Sequence, residues 1–525
     1  MTSTAPRYRR FALGATALLA ASLALPLGAA AAAEPDLAGS DLYVNPFSTT
    51  LEAAQSLSGQ ARDDAQLLGS IPSAEWFTKG TPAEVEAAAR AYVDGATAAG
   101  AMPVLVAYNL PFRDCAQYSA GGAADTAAYE AWIDGLAAGI GGRPATVILE
   151  PDGLGIIPWY TNIDGGQEWC RPGELDPATA ANDRFAQLNH AVDALGALPS
   201  TSVYLDGTHS AWLNVGDISD RLIKAGVQDA DGFFLNASNY QYTSNLSAYG
   251  RWISSCIAYV TAVTPGGFGD CGNQYWNGGP ATGWSGVAMS NYGEWSSGNP
   301  NPALDTAGVD SRYASILGGT APTTHFVIDS SRNGLGPWQA PTGVYTDPED
   351  WCNPPGRGLG ARPTTDTGDA LLDALLWIKV PGESDGQCYR GTSGPLDPER
   401  GMQDPAAGQW FAVQARELID LAKPPLAPLD CHVAWDASGA GKSSSAKLRF
   451  DGASPGAPWT VSFVFSGDQR VSKATHAAVV QTGHAVSVTG SAVKSGNAPD
   501  AVLSVKGGAE QPWIFWLDGR ACTSD

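Results

Sequence analysis

Val147-Ile148-Leu149-Glu150-Pro151-Asp152-Gly153-Leu154-Gly155-Ile156 is an apolar run that stops abruptly at two carboxylates, a proline and a glycine. The run reads as a buried strand and the Pro/Gly punctuation as the loop at its C-terminal end. In α/β folds such loops carry the chemistry. A carboxyl group fixed there, beside Leu154 and Ile156, loses hydration of its charged form. It then holds its proton towards neutral pH, as a general acid must. The plainer reading makes Asp152 an ordinary loop residue that caps the next helix.

Outward from this stretch, strands and helices alternate. Residues 42–44 and 75–77 read as short strands. Thr81-Pro82-Ala83-Glu84 supplies an N-cap, a proline at the first helical position and an acidic first turn. The helix so opened runs to about residue 99, before Gly100. Residues 104–108 form the next apolar run, and residues 124–140 are helical. After the central strand come a helix at 182–195 and strands at 203–205, 233–235, 326–328 and 375–380. These strands end at Asp206, at Asn236, at Asp329, and before Glu383 and Asp385. The alternation predicts an α/β fold with a parallel sheet, with a closed barrel as its candidate form. Residues 238–303 break the rhythm. Asn, Gly, Ser, Tyr and Trp dominate, periodicity is weak, and Cys256 and Cys271 lie inside. An ordered, disulfide-stapled loop that walls or roofs a cleft is expected.

Composition narrows the function. Arg7, Arg9 and Arg10 precede an apolar run from 11 to 27 and small residues from 28 to 33. That is the pattern of a secretory signal peptide over residues 1–33, cleaved near 29–34, so the mature protein is expected outside the cell. No other run reaches membrane-spanning length. A net charge of −23 argues against nucleic acid or an anionic membrane as partner. Only 16% of residues are charged, yet there are 17 Trp and 17 Tyr, which suits stacking on neutral rings such as sugars. Eight cysteines behind an export signal imply disulfides.

Asp114, Asp152, Asp206 and Asp385 each follow a strand candidate. In a parallel barrel those positions converge on one pocket. Crowded carboxylates repel as anions, so one stays protonated, the division of labour that glycoside hydrolysis needs. Metal binding is the rival use of clustered Asp. No DxDxDG loop or HExxH is present, so no metal and no cofactor is expected. A Ser-His-Asp hydrolase is disfavoured by six His and the lack of a G-x-S-x-G elbow at a strand end.

Six ordered motifs resemble glycoside hydrolase family 6, cellulases built on a distorted seven-stranded β/α barrel. They are YNLPFRDC (108–115), ILEPDGL (148–154), LDGTHSAWL (205–213), NASNY (236–240), WCNPPG (351–356) and WIKVPGESDG (377–386). The resemblance implies an inverting attack on β-1,4-glucan. By it, Asp152 is the proton donor, Asp114 supports its pKa and organises water, Asp385 is the base, and Asp206 has a supporting role. Tyr108, Ser119, His209, Trp212, Asn236, Trp351, Lys379 and Glu383 fall on sugar-contacting positions. Asp152 is expected to be more buried than Asp385 and shifted upward in pKa. The resemblance also implies the disulfides Cys115–Cys170 and Cys352–Cys388, which leaves Cys256–Cys271 and Cys431–Cys522.

Two departures from the family bear on specificity. No Trp stands between Asn45 and Ala53, where a distal sugar subsite is often built. The long loop at 238–303 and the GTSGPLDPERG stretch at 391–401 resemble chain-end-acting members. Residues 34–423 are read as the catalytic domain, 424–429 as a short Pro-rich linker, and 430–525 as a small β-sandwich resembling a family 2 carbohydrate-binding module. That module grips cellulose through exposed tryptophans. Its three binding places here hold small residues near 436–441, Ala474-Thr475-His476, and Val493. Trp459 matches the module's core tryptophan, and Trp435, Trp513 and Trp516 are candidates for another surface. The expected function is a secreted, monomeric cellobiohydrolase. The alternatives are an endo-β-1,4-glucanase, a hydrolase of another β-glucan, and a non-catalytic carbohydrate-binding protein.

Overall fold

The computed structural model describes residues 37–439, 444–454, 456–492 and 500–525. The expected signal peptide lies outside these residues, as do Val493 and positions 440–441. Among the described residues, no helix is long and apolar enough to cross a membrane.

Seven parallel strands form one sheet in chain order: β1 (Glu75–Phe77), β2 (Val104–Ala107), β3 (Ala145–Leu149), β4 (Thr201–Asp206), β5 (Gly232–Leu235), β6 (His325–Asp329) and β7 (Leu372–Leu376). Beyond the two edge strands, Ala74 N–H donates to the Trp377 carbonyl at 2.9 Å and the Trp76 indole to the Ile378 carbonyl at 2.8 Å. These bonds draw the sheet towards a closed, distorted barrel. Strand side chains alternate between two cores. Leu105, Val147, Leu149 and Leu205 pack outward under the helices. Val104, Val106, Ile148, Tyr204 and Phe234 fill the interior. With both faces buried, the strands read as continuous apolar runs.

Helices α1 (Thr49–Ser56), α2 (Gln60–Gly69), α3 (Pro82–Ala99), α4 (Thr126–Ile140), α5 (Ala180–Gly196), α6 (Val215–Lys224), α7 (Thr243–Ala258), α8 (Ala307–Ile316) and α9 (Ala412–Asp420) complete this part. The start of α3 is a capping box: the Thr81 side chain accepts from Glu84 N–H, and Glu84 accepts from Thr81 N–H at 2.7 Å.

Three local expectations are corrected. Residues 42–44 form no strand, only a bridge from Leu42 to Met102. The last barrel strand is 372–376, not 375–380. The N–H groups of Ile378 and Lys379 are taken by the Asp329 carboxylate, at 3.3 and 3.0 Å, in place of a neighbouring strand. The segment 238–303 contains the 16-residue helix α7. Most of α7 is buried, and its buried residues include Asn245, Gly250, Ser254 and Ser255, types that read as loop in the sequence.

The C-terminal part is a nine-stranded sheet folded over a core. Its strands are β8 (His432–Ser438), β9 (Ser444–Phe450), β10 (Trp459–Val464), β11 (Arg470–Thr475), β12 (Ala477–Thr482), β13 (Ala485–Gly490), β14 (Asp500–Lys506), β15 (Phe515–Leu517) and β16 (Arg520–Ser524). Their order is β11-β14-β9-β8-β16-β15-β10-β13-β12. Pairing is antiparallel except between β16 and β8. Trp459 is buried against Phe450, ring centroids 4.7 Å apart. Trp435 is also in the core, 7% exposed and in edge contact with Phe463, which corrects its assignment to a surface. The sandwich is docked on the barrel part. Gln66 of α2 donates to Ser524 Oγ at 2.8 Å and accepts from Ser524 N–H at 2.9 Å. Phe47 meets Trp513 edge-on at 5.5 Å. The segment 424–429 is anchored too: Leu426 and Leu429 pack on the α2/α9 core, and Arg362 donates to the Pro424 carbonyl at 2.9 Å.

Candidate active site

The loops beyond the C-terminal strand ends enclose a cavity of about 680 Å³. Tyr108, Asp114, Ser119, Asp152, His209, Trp212, Trp351, Lys379, Glu383 and Asp385 all line it. Asp206 and Asn236 do not. Both are buried one layer back, where they hold the lining loops in shape.

Glu150, at 0% exposure, starts the loop that carries Asp152. Its carboxylate accepts from Asn109 N–H at 3.0 Å and from Leu110 N–H at 3.1 Å, which ties the loop after β3 to the loop after β2. Burial pushes its pKa up to about 7 against those hydrogen bonds. Asp152 follows with φ +63°, left-handed backbone that a non-glycine residue adopts at a cost. Asp206 fixes the far side of the turn, accepting from Leu154 and Gly155 N–H at 3.1 Å and from Thr208 N–H at 2.8 Å. Burial raises the pKa of Asp206 to about 6.

The Asp152 carboxyl opens into the cavity. Burial raises its pKa well above the usual carboxylate value, and the neighbouring Asp206, Asp114 and Asp385 raise it further. Asp114, also left-handed at φ +55°, accepts from Ser119 N–H at 3.0 Å. Burial raises its pKa against Ser119 and Arg113. The Cys115–Cys170 disulfide joins its loop to the segment carrying Trp169, which is 53% exposed at the cavity wall.

Asp385 behaves oppositely. Burial pushes its pKa up, but Arg332 and Lys379, with hydrogen bonds from Arg332 and Asn353, outweigh burial and hold it below the usual value. Its Oδ2 accepts from Arg332 Nη1 at 2.8 Å, from the Tyr240 hydroxyl at 3.0 Å and from Asn353 N–H at 3.0 Å. Lys379 Nζ stands 3.7 Å from Oδ1. The relative burial is therefore the reverse of the expectation: Asp385 is 7% exposed and Asp152 is half-buried. Paired cations make the deep burial of an ionised Asp385 tolerable, whereas Asp152 has only acids around it.

The remaining lining groups suit a neutral, polyhydroxylated ligand. His209 is pushed down to about 4 by burial, so its ring is neutral, and it lies tilted against Trp212 at 5.6 Å. Glu383 accepts from the Thr49 hydroxyl at 2.6 Å. Trp351 packs on Tyr118 beside the Cys352–Cys388 disulfide. Asn236 donates to the Asp329 carbonyl at 2.9 Å and accepts from Gln241 N–H at 3.0 Å, which shapes the turn whose residues 238–241 line the cavity. Cys256–Cys271 and Cys431–Cys522 complete the disulfides.

Sequence reasoning missed Arg332, Tyr240, Trp76 and Trp169. Tyr240 lay inside a quoted motif, and Arg332 follows a strand end at Ser330-Ser331, so position alone marked both. The one group of three potential metal ligands among the described residues is Cys388, Asp397 and Asp404. Its sulfur is in a disulfide and Asp397 is held by Arg390 at 2.8 Å, so these donors are already engaged.

The family model of glycosyl hydrolases family 6 matches residues 37–422. The chain is 32% identical over 401 residues to endoglucanase A of Thermobispora bispora, covering 76% of this chain and 69% of the relative. It is 29% identical over 416 residues to a probable 1,4-beta-D-glucan cellobiohydrolase C of Neosartorya fischeri, covering 74% and 78%. The solved endoglucanase Cel6 of Mycobacterium tuberculosis, in complex with methyl-cellobiosyl-4-deoxy-4-thio-β-D-cellobioside, superposes with a TM-score of 0.51 at 34% identity. That match covers 73% of this chain and 97% of that one.

Proposed function

Since the chain belongs to glycosyl hydrolases family 6 and is an inverting glycoside hydrolase, we propose that it cleaves β-1,4-glucan from chain ends and releases cellobiose. The observation that carries the hydrolytic reading is the opposite surroundings of two carboxyls in one cleft: burial and neighbouring aspartates raise the pKa of Asp152, whereas Arg332 and Lys379 lower that of Asp385. Asp152 gives its proton to the leaving glycosidic oxygen. Asp385 draws a proton from water on the opposite face of the sugar, through a water chain, and inversion follows. Asp114 sustains the pKa of Asp152 and orients water, and Asp206 keeps the Asp152 loop rigid. Tyr108, Ser119, His209, Trp212, Trp351, Lys379 and Glu383 contact sugar, with Trp212 and Trp351 as stacking platforms, and Asn236 shapes the wall they share.

Chain-end action is supported by the walls. The 238–303 segment contributes at 238–241 and at Asn291 and Tyr292, and loops at 350–351 and 407–408 contribute too. The endo reading is favoured by the names of the relatives: those at 31–34% identity, and the solved Cel6 of Mycobacterium tuberculosis at 34%, are endoglucanases. We read residues 1–33 as a signal peptide, the secreted protein as a monomer, and residues 430–525 as a module similar to carbohydrate-binding family 2 that has lost its cellulose-gripping tryptophans. The disulfide Cys431–Cys522 and the buried Trp459 support that last reading.

The test is NMR of cellohexaose turnover from the first minutes, with Asp152→Ala as control. Nascent α-anomer dominated by cellobiose supports inverting chain-end attack. Mixed product lengths shift the assignment to endo action, and no turnover, or an active Asp152→Ala, overturns it.

A further inference from the structure

Residues 273–293 contain no Asp, Glu, Lys or Arg, in a chain of net charge −23. Within this neutral stretch Tyr275, Trp276, Trp284, Val287 and Tyr292 are 51, 40, 57, 44 and 49% exposed. Single exposed apolar residues are ordinary, but a contiguous aromatic patch marks a binding surface. The two indoles lie nearly parallel, 15° apart with centroids at 6.5 Å. Neither lines the catalytic cavity.

The patch is built to display these rings. Trp276 rests on bare backbone: a Cβ at Gly278 would stand 2.4 Å from its Cζ2, and one at Gly286 2.8 Å from its Nε1. Trp284 is held at φ +63°, a conformation that costs a bulky residue free energy, with its N–H on the Gly279 carbonyl at 2.8 Å. The two arms of the loop are cross-tied. Asn277 N–H donates to the Val287 carbonyl at 3.0 Å, Val287 N–H to Asn277 Oδ1 at 2.9 Å, and Met289 N–H to the Gln274 carbonyl at 2.8 Å. Asn277 Nδ2 pins this ribbon to the Pro302 and Asp305 carbonyls at 2.7 and 2.8 Å.

The ribbon is continuous with the cleft at both roots. The Tyr275 hydroxyl donates to the carbonyl of Trp212 at 2.6 Å, and Trp212 lines the cavity. The other arm runs into Asn291 and Tyr292, which also line it. We propose that Trp276 and Trp284 form an auxiliary binding platform for β-1,4-glucan outside the cleft, which holds the polymer as it passes the Trp212 side. Flat aromatic faces framed by Asn and Ser side chains and glycine backbone, with a single cation beside them (the Arg312 guanidinium, 6.0 Å from the Trp276 ring centroid), fit the C–H faces and hydroxyls of an uncharged sugar. The polymer's identity rests on the function proposed above.

The test uses the full chain. Adsorption to insoluble cellulose is compared between Asp152→Asn and Asp152→Asn/Trp276→Ala/Trp284→Ala, and kcat/KM on cellotetraose between the active parent and its Trp276→Ala/Trp284→Ala variant. The platform predicts adsorption weakened about tenfold, with cellotetraose kinetics within about twofold. Trp276→Tyr/Trp284→Tyr, which keeps flat rings, should restore adsorption. Unchanged adsorption overturns the platform, as does an equal loss on cellotetraose. Absence of turnover by the active parent counts against the proposed function alone, because the adsorption contrast is still read.

Discussion

Replacing Arg332 by Met should move the acid limb of the pH–rate profile upward. Arg332 is fully buried, and its guanidinium makes a 2.8 Å charge-assisted bond to Asp385. Such a bond is worth about 1.5–3 kcal/mol, and one pKa unit corresponds to about 1.4 kcal/mol. The pKa of Asp385 should therefore rise by about 1–2 units. Lys379, at 3.7 Å, limits the rise. Asp385 is ionised above its pKa, so raising that pKa removes the base first at low pH. The loss of kcat/KM should be greatest near pH 4 and fade towards pH 7. The assay is kcat/KM on a soluble cello-oligosaccharide from pH 4 to 8, with thermal melts to confirm folding. Arg332→Lys, which retains the cation, should recover part of the shift. A folded Arg332→Met variant with an unmoved acid limb, or with the same loss at every pH, would refute the reasoning.

Asp152→Asn should cut turnover of unactivated glucan by about 10²–10⁴, the usual worth of general-acid catalysis. Steady-state kinetics should show a smaller loss on aryl cellobiosides, whose leaving groups need less protonation. Glu150→Gln should flatten the pH dependence of stability. The Glu150 pKa is about 7 in the fold against an ordinary glutamate value of 4.5, so the unfolded chain releases this proton earlier. The stability at this group is then full below about pH 4.5 and falls by about 3 kcal/mol as pH rises through 7. Urea midpoints at pH 4.5 and 7.5 check it, and parallel profiles for the two proteins would contradict it. Gln66→Ala leaves the buried Ser524 N–H without its acceptor, at a cost of about 1–3 kcal/mol. A lowered melting temperature with unaltered cello-oligosaccharide kinetics is expected.

The sequence by itself determined whatever depends on neighbours along the chain. The capping box at Thr81–Glu84, the apolar strands and the Gly/Pro punctuation after 147–150 are local signals, and they placed the aspartates at strand ends. Tertiary structure decided what depends on distant residues meeting. Helix α7 escaped detection because Asn, Ser and Gly, residues that favour turns, are spread through it and are buried only by tertiary packing. Trp435 and Trp459 are both core residues, and only the folded-over sheet shows that Trp435 faces Phe463 rather than solvent. The chemistry divides the same way. Asp152 and Asp385 carry the same side chain, in the loops after β3 and β7, and their intrinsic acidities are equal. Only the fold surrounds Asp152 with other acids and brings Arg332, from beyond β6, and Lys379, from beyond β7, against Asp385. Electrostatic energy in a low-dielectric site depends on distance through space, and sequence separation does not encode that distance.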